Sequence, residues 1–233
     1  MPVVQNPGVG AGQQAMLVSS VTLTAAQIRT LLSTPVTVVP APGAGKLIVP
    51  IAVFFTYNFN TRAFQPASVT LPGLAYANNV SLAQTGSWEP ILNETASTYI
   101  APGVGFTAPT PFSPGADNQA LVAVSDVNFD QGPIATASLG AAGTGYAAND
   151  TGTITTDSGD ATYKVLTVGA GGAVLTFQIT GAGTVYAVGN GKATATGGAQ
   201  PGVGAGLTIN VTAVNAGDGT LKVTTYYQII PVP

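Results

Sequence analysis

Charge is nearly absent from this chain: Lys and Arg number six, and Asp and Glu nine, among 233 residues. The 6% that results compares with about 25% in an average globular protein. Exposed helix faces are ordinarily solubilised by Glu, Lys and Arg, so a protein built on surface helices is excluded. Hydrophobic residues nonetheless make up 45% of the chain, which sets it apart from disordered segments. At this length a core for one large domain or two small ones can be buried. The polar surface is left to Thr, Ser, Asn and Gln, which suit strands and turns better than helices. The 30 Gly and 17 Pro punctuate many short elements. The expected class is all-β.

The same composition excludes several functions. Six basic residues spread along a chain of net charge −3 make no basic patch, so no nucleic-acid partner is expected. Cys and His are both absent. That removes disulfides, thiol chemistry, the usual nucleophile–base pairs and zinc sites built on imidazole or thiolate. Met1 to Met16 has no basic residue and no apolar centre, unlike a secretory signal. The longest apolar run, Leu47 to Phe55, is interrupted by Pro50 and falls far short of the ~20 residues of a membrane span. The expectation is a protein made in a cytoplasm, with no membrane partner.

Along the chain, residues 1–15 are Gly- and Pro-rich without periodicity. They read as a flexible N-terminal arm, left disordered or ordered against a neighbouring subunit. Leu17 to Leu23 reads as a strand. Thr24 and Gln27 then form a capping-box signature. With Ile28, Leu31 and Leu32 as its apolar stripe and Pro35 as its stop, it predicts a helix of about two turns. Val36 to Val39 and Leu47 to Phe55 follow as strands, and Tyr57, Phe59 and Phe64 extend an aromatic segment. Residues 65–119 are broken by seven prolines, with further strands read at Ala67 to Leu71 and Leu121 to Phe129.

From about residue 133 to 214 the character changes and an internal repeat emerges. Ala142-Gly143-Thr144-Gly145-Tyr146 parallels Ala182-Gly183-Thr184-Val185-Tyr186 at an offset of 40 residues. Alternating strands follow: Ala161, Tyr163 and Val165; Leu175, Phe177 and Ile179; Leu207, Ile209 and Val211. Period-2 alternation of this kind marks sheets with one dry face. Residues 221–229 are the clearest strand, with Leu221, Val223, Thr225, Tyr227 and Ile229 on one side and Lys222, Thr224, Tyr226 and Gln228 on the other. The expected organisation is a jelly-roll-like β-sandwich, residues 16–132 and 215–233, with one short helix and an inserted repeat β-domain, residues 133–214, that projects from it.

Four motifs bear on chemistry. Glu89 and Glu94 are the only glutamates and read as solvated loop carboxylates rather than a glycosidase pair. Asp126, Asn128 and Asp130 have the spacing of a calcium loop's first ligands. Gln131 stands where the loop needs Gly, and Ala137 where it needs Glu; a structural cation held in another geometry stays open there. Gly45-Lys46 lacks both the first Gly and the Ser or Thr of a phosphate loop, which are Pro40 and Leu47 here. Trp88 and the tyrosines either pack in a core or form a sugar-stacking platform. No catalytic, cofactor or metal residues are assigned, and no enzyme activity is expected.

Two stretches carry a family resemblance. Val21-Thr22-Leu23-Thr24-Ala25-Ala26-Gln27-Ile28, continuing to Ala41-Pro42-Gly43-Ala44-Gly45-Lys46, is similar to the opening of tailed-bacteriophage structural proteins. Gly217-Asp218-Gly219-Thr220-Leu221-Lys222-Val223, followed by Tyr226-Tyr227-Gln228-Ile229, resembles their closing segment. The resemblance implies a virion role of the capsid decoration, cement or head-fibre type. It also implies a homotrimer, the major capsid protein or another virion protein as partner, assembly in the host cytoplasm and a place on the capsid surface. A fibre or adhesin module that binds host-surface glycans is the alternative.

Overall fold

The computed structural model describes residues 15–66, 73–77, 89–100, 117–197 and 204–232. The expected arm lies outside these residues except for residue 15, and so does the strand expected at Ala67 to Leu71. The protein is all-β: among the described residues are thirteen strands, every pairing antiparallel. The chain divides into two compact units, one of Met1–Phe129 with Asp218–Pro233 and one of Asp130–Gly217.

The first unit is a β-sandwich. Its larger sheet has the order β1 (Leu17–Leu23), β13 (Thr220–Pro231), β3 (Lys46–Asn58), β5 (Thr98–Ile100). Its smaller sheet has the order β2 (Val36–Val39), β6 (Leu121–Val124), β4 (Gly73–Tyr76). Both sheets feed one core, with Leu23, Leu47, Val53, Tyr57, Leu221 and Val223 from the first and Val38, Leu74, Tyr76 and Leu121 from the second. Two side chains tie the layers: Ser19 Oγ donates to Val38 O, and Tyr76 Oη to Ile48 O. Pro50, which removes a ladder donor, is tolerated because β3 bulges beside it. Tyr226 pairs with Ala52 and Tyr227 with Pro50, so Ile51 is skipped.

Local chemistry explains where elements stop. The capping box closes as expected, with Thr24 Oγ1 accepting from Gln27 N and Gln27 Oε1 accepting from Thr24 N. The helix α1 is only Ala25–Arg29, shorter than two turns. The chain leaves helical geometry at Thr30 (φ −116°), whose hydroxyl bonds back to Ala26 O. Ile28 and Leu31 are buried, but Leu32 is turned out, 51% exposed. β6 ends at Val124 rather than running to Phe129, because Ser125 Oγ accepts from Val127 N and turns the chain. The proline-rich stretch holds β4, a one-turn helix α2 (Glu89–Leu92) and β5, none of which has a sequence signal.

The second unit is one six-stranded sheet. Its order is β10 (Val174–Gly181), β9 (Thr162–Val168), β8 (Thr151–Ile154), β11 (Gly189–Gly197), β12 (Ala205–Val214), β7 (Ile134–Thr144). Its two edges curl together. Ile134 N bonds Ala182 O near one end, and Gly145 N and Tyr146 N bond Gly171 O and Gly172 O near the other. The result is a near-closed barrel, which leaves little free edge. Tyr163, Val165, Val174, Leu207, Ile209 and Val211 fill its interior. One strand departs from the sequence pattern. A bulge between Val174 and Thr176 shifts the phase of β10, so Val174 is buried and Leu175 is 59% exposed.

The repeat accounts for this sheet. Matching β7, β8 and β9 to β10, β11 and β12 turns the strand order into its own reverse, the mark of a pseudo-twofold axis between β8 and β11. The backbone follows suit: Tyr146 N bonds Gly172 O at 3.0 Å, and Tyr186 N bonds Gly132 O at 2.9 Å. The repeated glycine serves the repeated tyrosine. Gly143 (φ +61°) and Gly183 (φ +68°) take the left-handed conformation, and a Cβ on either would lie 2.8 or 2.3 Å from the ring of Tyr146 or Tyr186. The ends of the unit are also joined, since Asn215 N donates to Pro133 O at 2.8 Å. Adjacent ends are what allow a domain to sit inside another's chain.

Two substitution series test this packing. Gly183→Ala meets both a left-handed φ and the Tyr186 ring, whereas Gly171→Ala, at φ +67°, meets nothing within 4 Å. The expected loss is about 1–2 kcal/mol for Gly171→Ala and clearly more for Gly183→Ala, read from urea midpoints; equal losses would refute the packing role of Gly183. In the sandwich, Thr225 is fully buried and its hydroxyl has no partner. Thr225→Val is expected to raise stability by about 1 kcal/mol by removing an unsatisfied polar group. A loss of that size would contradict this reading.

Candidate functional site

The outward face of the larger sheet concentrates what this surface has to offer a partner. Alternation along β13 sends Tyr226 outward, and register places it opposite Val18 on β1 and Ala52 on β3. Phe54, two residues along β3, lies opposite Thr224, and Tyr99 of β5 lies opposite Thr56. The three aromatic rings meet: Phe54 and Tyr99 are nearly parallel (12°) with centroids 6.2 Å apart, and Tyr226 meets Phe54 edge-on at 5.5 Å. Tyr99 is 58% exposed, Val18 and Ile51 are exposed on the same sheet, and Met16 is exposed just before β1. Ser20 and Thr224 share a hydrogen bond within the face, and Lys222 is the charged residue on its β13 row. The arrangement suits binding by stacking and apolar contact.

The glutamates and the aspartate motif do not assemble into a reactive centre. Glu94 is exposed after α2, and the Glu89 side chain and all of Trp88 lie outside the described residues. Asp126 and Asp130 are exposed and Asn128 is half-buried, its Oδ1 atom without a hydrogen-bond partner. Among the described residues, no three Asp or Glu side chains gather as a metal site would require, and no helix is long and apolar enough to cross a membrane. Of the aromatic segment, Tyr57 and Phe64 are core residues whose rings lie 6.2 Å apart.

The closing segment acquires a physical role. Asp218 fastens the loop after β3: its carboxylate accepts from Thr61 N (2.9 Å), Arg62 N (2.8 Å), Thr61 Oγ1 and Asn60 Nδ2. Asp218 N in turn donates to Arg62 O. Gly219 follows because a Cβ there would lie 2.6 Å from the Tyr57 ring. Burial, and after it the Asp218 carboxylate, push the Tyr57 hydroxyl up to about 12. Partial burial pushes Asp218 itself up, but the hydrogen bonds from Thr61 and Arg62 and the Arg62 charge outweigh it and bring the carboxyl down to about 2. In the barrel, Asp160 is lowered in the same way, chiefly by the Ser158 hydroxyl, and ties that loop to Thr184 N.

No family model, curated protein or solved structure matches this chain. The aromatic face was only half legible in the sequence. Alternation assigned Tyr226 to the outer side of its strand, but Phe54 lies in a continuous apolar run with no alternation to mark an outer side, and Tyr99 lies within the proline-rich stretch.

The Asp218 clamp predicts a pH signature. A carboxylate lowered by folding stabilises the protein fully above its unfolded value of about 3.9, and that contribution disappears as pH falls through about 2. Asp218→Asn should therefore be less stable than wild type at pH 7, with the gap closing as pH approaches 2. Urea midpoints across this range check it; a gap independent of pH would remove the charge from the account.

Proposed function

We propose that this chain is a non-enzymatic structural protein of a tailed-bacteriophage virion, one that decorates or cements the capsid through multivalent subunit contacts. The single observation that carries the reading is the aromatic, nearly uncharged sheet face built from Phe54, Tyr99 and Tyr226. Interfaces concentrate aromatic residues and shed charge at their centres, because an unpaired charge is expensive to bury. The two stretches of phage resemblance belong to this same sandwich, and its sheet places their strands, β1 and β13, side by side. A homotrimer on the capsid surface would present three such faces at once. Weak contacts add through effective concentration when they are presented together. The partner is the major capsid protein or a neighbouring virion protein.

A second reading, a glycan-binding fibre or adhesin module, is favoured by Tyr99 itself. Its exposed ring lies 12° from parallel to Phe54, and flat exposed rings stack on sugar faces.

Light scattering of the purified protein, then co-sedimentation with undecorated capsids of the cognate phage, tests the proposal. The expected result is a discrete homo-oligomer retained on shells. Tyr99→Ser should weaken retention by about tenfold or more, as loss of an aromatic anchor does. A monomer that ignores shells would sink the reading, and glycan-array binding abolished by the same substitution would establish the second one.

A further inference from the structure

The barrel contains the sequence's one Asn-Gly pair, Asn190-Gly191, and both residues are exposed. Asn-Gly is chemically fragile. Glycine carries no side chain to hinder attack by its own backbone nitrogen on the preceding side-chain amide, and Asn is among the thermolabile residues. The pair lies in an irregularity of β11: Gly189 pairs with Val211 and Lys192 with Ile209, so two residues bulge opposite Asn210. Gly191 is left-handed (φ +67°), and nothing lies within 4 Å of where its Cβ would be. Solvent therefore reaches the site.

One contact opposes the reaction. Asn210 Oδ1 accepts from Gly191 N at 2.8 Å, while Asn210 Nδ2 donates to Leu139 O at 3.2 Å. The two bonds together set the orientation of the Asn210 amide, since each needs a different end of it. Gly140 makes room on the neighbouring strand, where a Cβ would stand 3.0 Å from Asn210 Oδ1. The nitrogen that must lose its proton and attack is thus held as a hydrogen-bond donor.

We propose that Asn190 is a spontaneous deamidation site kept latent by the side chain of Asn210. In the reaction, hydroxide removes the Gly191 N proton and the nitrogen attacks Asn190 Cγ. A C–N bond forms, the Cγ–Nδ2 bond breaks and ammonia leaves, giving a succinimide. Water then opens the ring to aspartate or isoaspartate. Nothing is oxidised or reduced, and water is the only co-reactant. The product adds a negative charge, and isoaspartate adds a backbone methylene to a strand paired with both β8 and β12. The modification would therefore loosen the ladder between β11 and β12.

The test is peptide mass spectrometry of the full-length chain held at mildly alkaline pH, for wild type, Asn210→Ala and Asn210→Asp, with circular dichroism to verify folding. Asn210→Ala should deamidate at Asn190 about fivefold faster than wild type, the factor that one net hydrogen bond is worth. Asn210→Asp keeps an acceptor for Gly191 N and should stay near the wild-type rate. Equal rates in wild type and Asn210→Ala, or an Asn210→Asp rate matching Asn210→Ala, would overturn the proposal. Should Asn210→Ala unfold, hydrogen exchange at Gly191 in the native chain decides: a protected amide supports the latch, and exchange at the rate of a free exposed amide refutes it.

Discussion

The sandwich depends on β13, the last strand of the chain, lying between β1 and β3. It pairs with β1 from Leu17 to Leu23 and with β3 from Lys46 to Asn58. Its inward residues Leu221, Val223 and Tyr227 complete the core, and its outward Tyr226 completes the aromatic face. Without it β1 has no described partner and the larger sheet falls into separate pieces. These pairings join residues about 160 to 210 positions apart in the chain, with the barrel's residues between them in sequence. Closing such contacts is slow, because ordering precedes reward. The sandwich cannot complete its central strand until the residues of the barrel have been made.

Scarcity of charge is managed differently in each unit. The barrel's outer surface uses hydroxyl pairs between neighbouring strands: Thr136 with Thr212, Thr162 with Thr180, and Thr167 with Thr176. Cross-strand pairs of this kind contribute about 0.2–1 kcal/mol each and present a neutral, wettable face. The ion pair Lys192–Asp157, at 2.6 Å, joins β11 to the loop after β8. In the sandwich, Asp218 is spent on backbone donors rather than on a cation alone. A surface of this character has few charges to desolvate when another surface covers it.

The duplication in the barrel shows how a short motif can specify a tertiary contact. Ala-Gly-Thr-x-Tyr marks the end of a strand, where a left-handed glycine leaves a hollow and the tyrosine three residues on fills it. Each half then reaches across to the other: β7 pairs with β12, and β10 with β9. Neither half has a complete set of partners by itself, so the two copies are structurally interdependent.

The sequence by itself determined the all-β class, the capping box at Thr24, the duplication, and the inward residues of β9, β12 and β13, because period-2 alternation and turn chemistry are local properties. It missed the phase of β10, where a bulge too local for a periodic pattern turns Leu175 outward, and it missed β4 and β5 among the prolines. Only the tertiary structure decided that β13 is central, that Phe54, Tyr99 and Tyr226 meet on one face, and that Asp218 reaches Thr61 and Arg62. The reason is that alternation says which side of a strand a residue takes, whereas backbone ladders are chemically alike for every pair of strands. Which strands become neighbours is settled by the packing of the whole core.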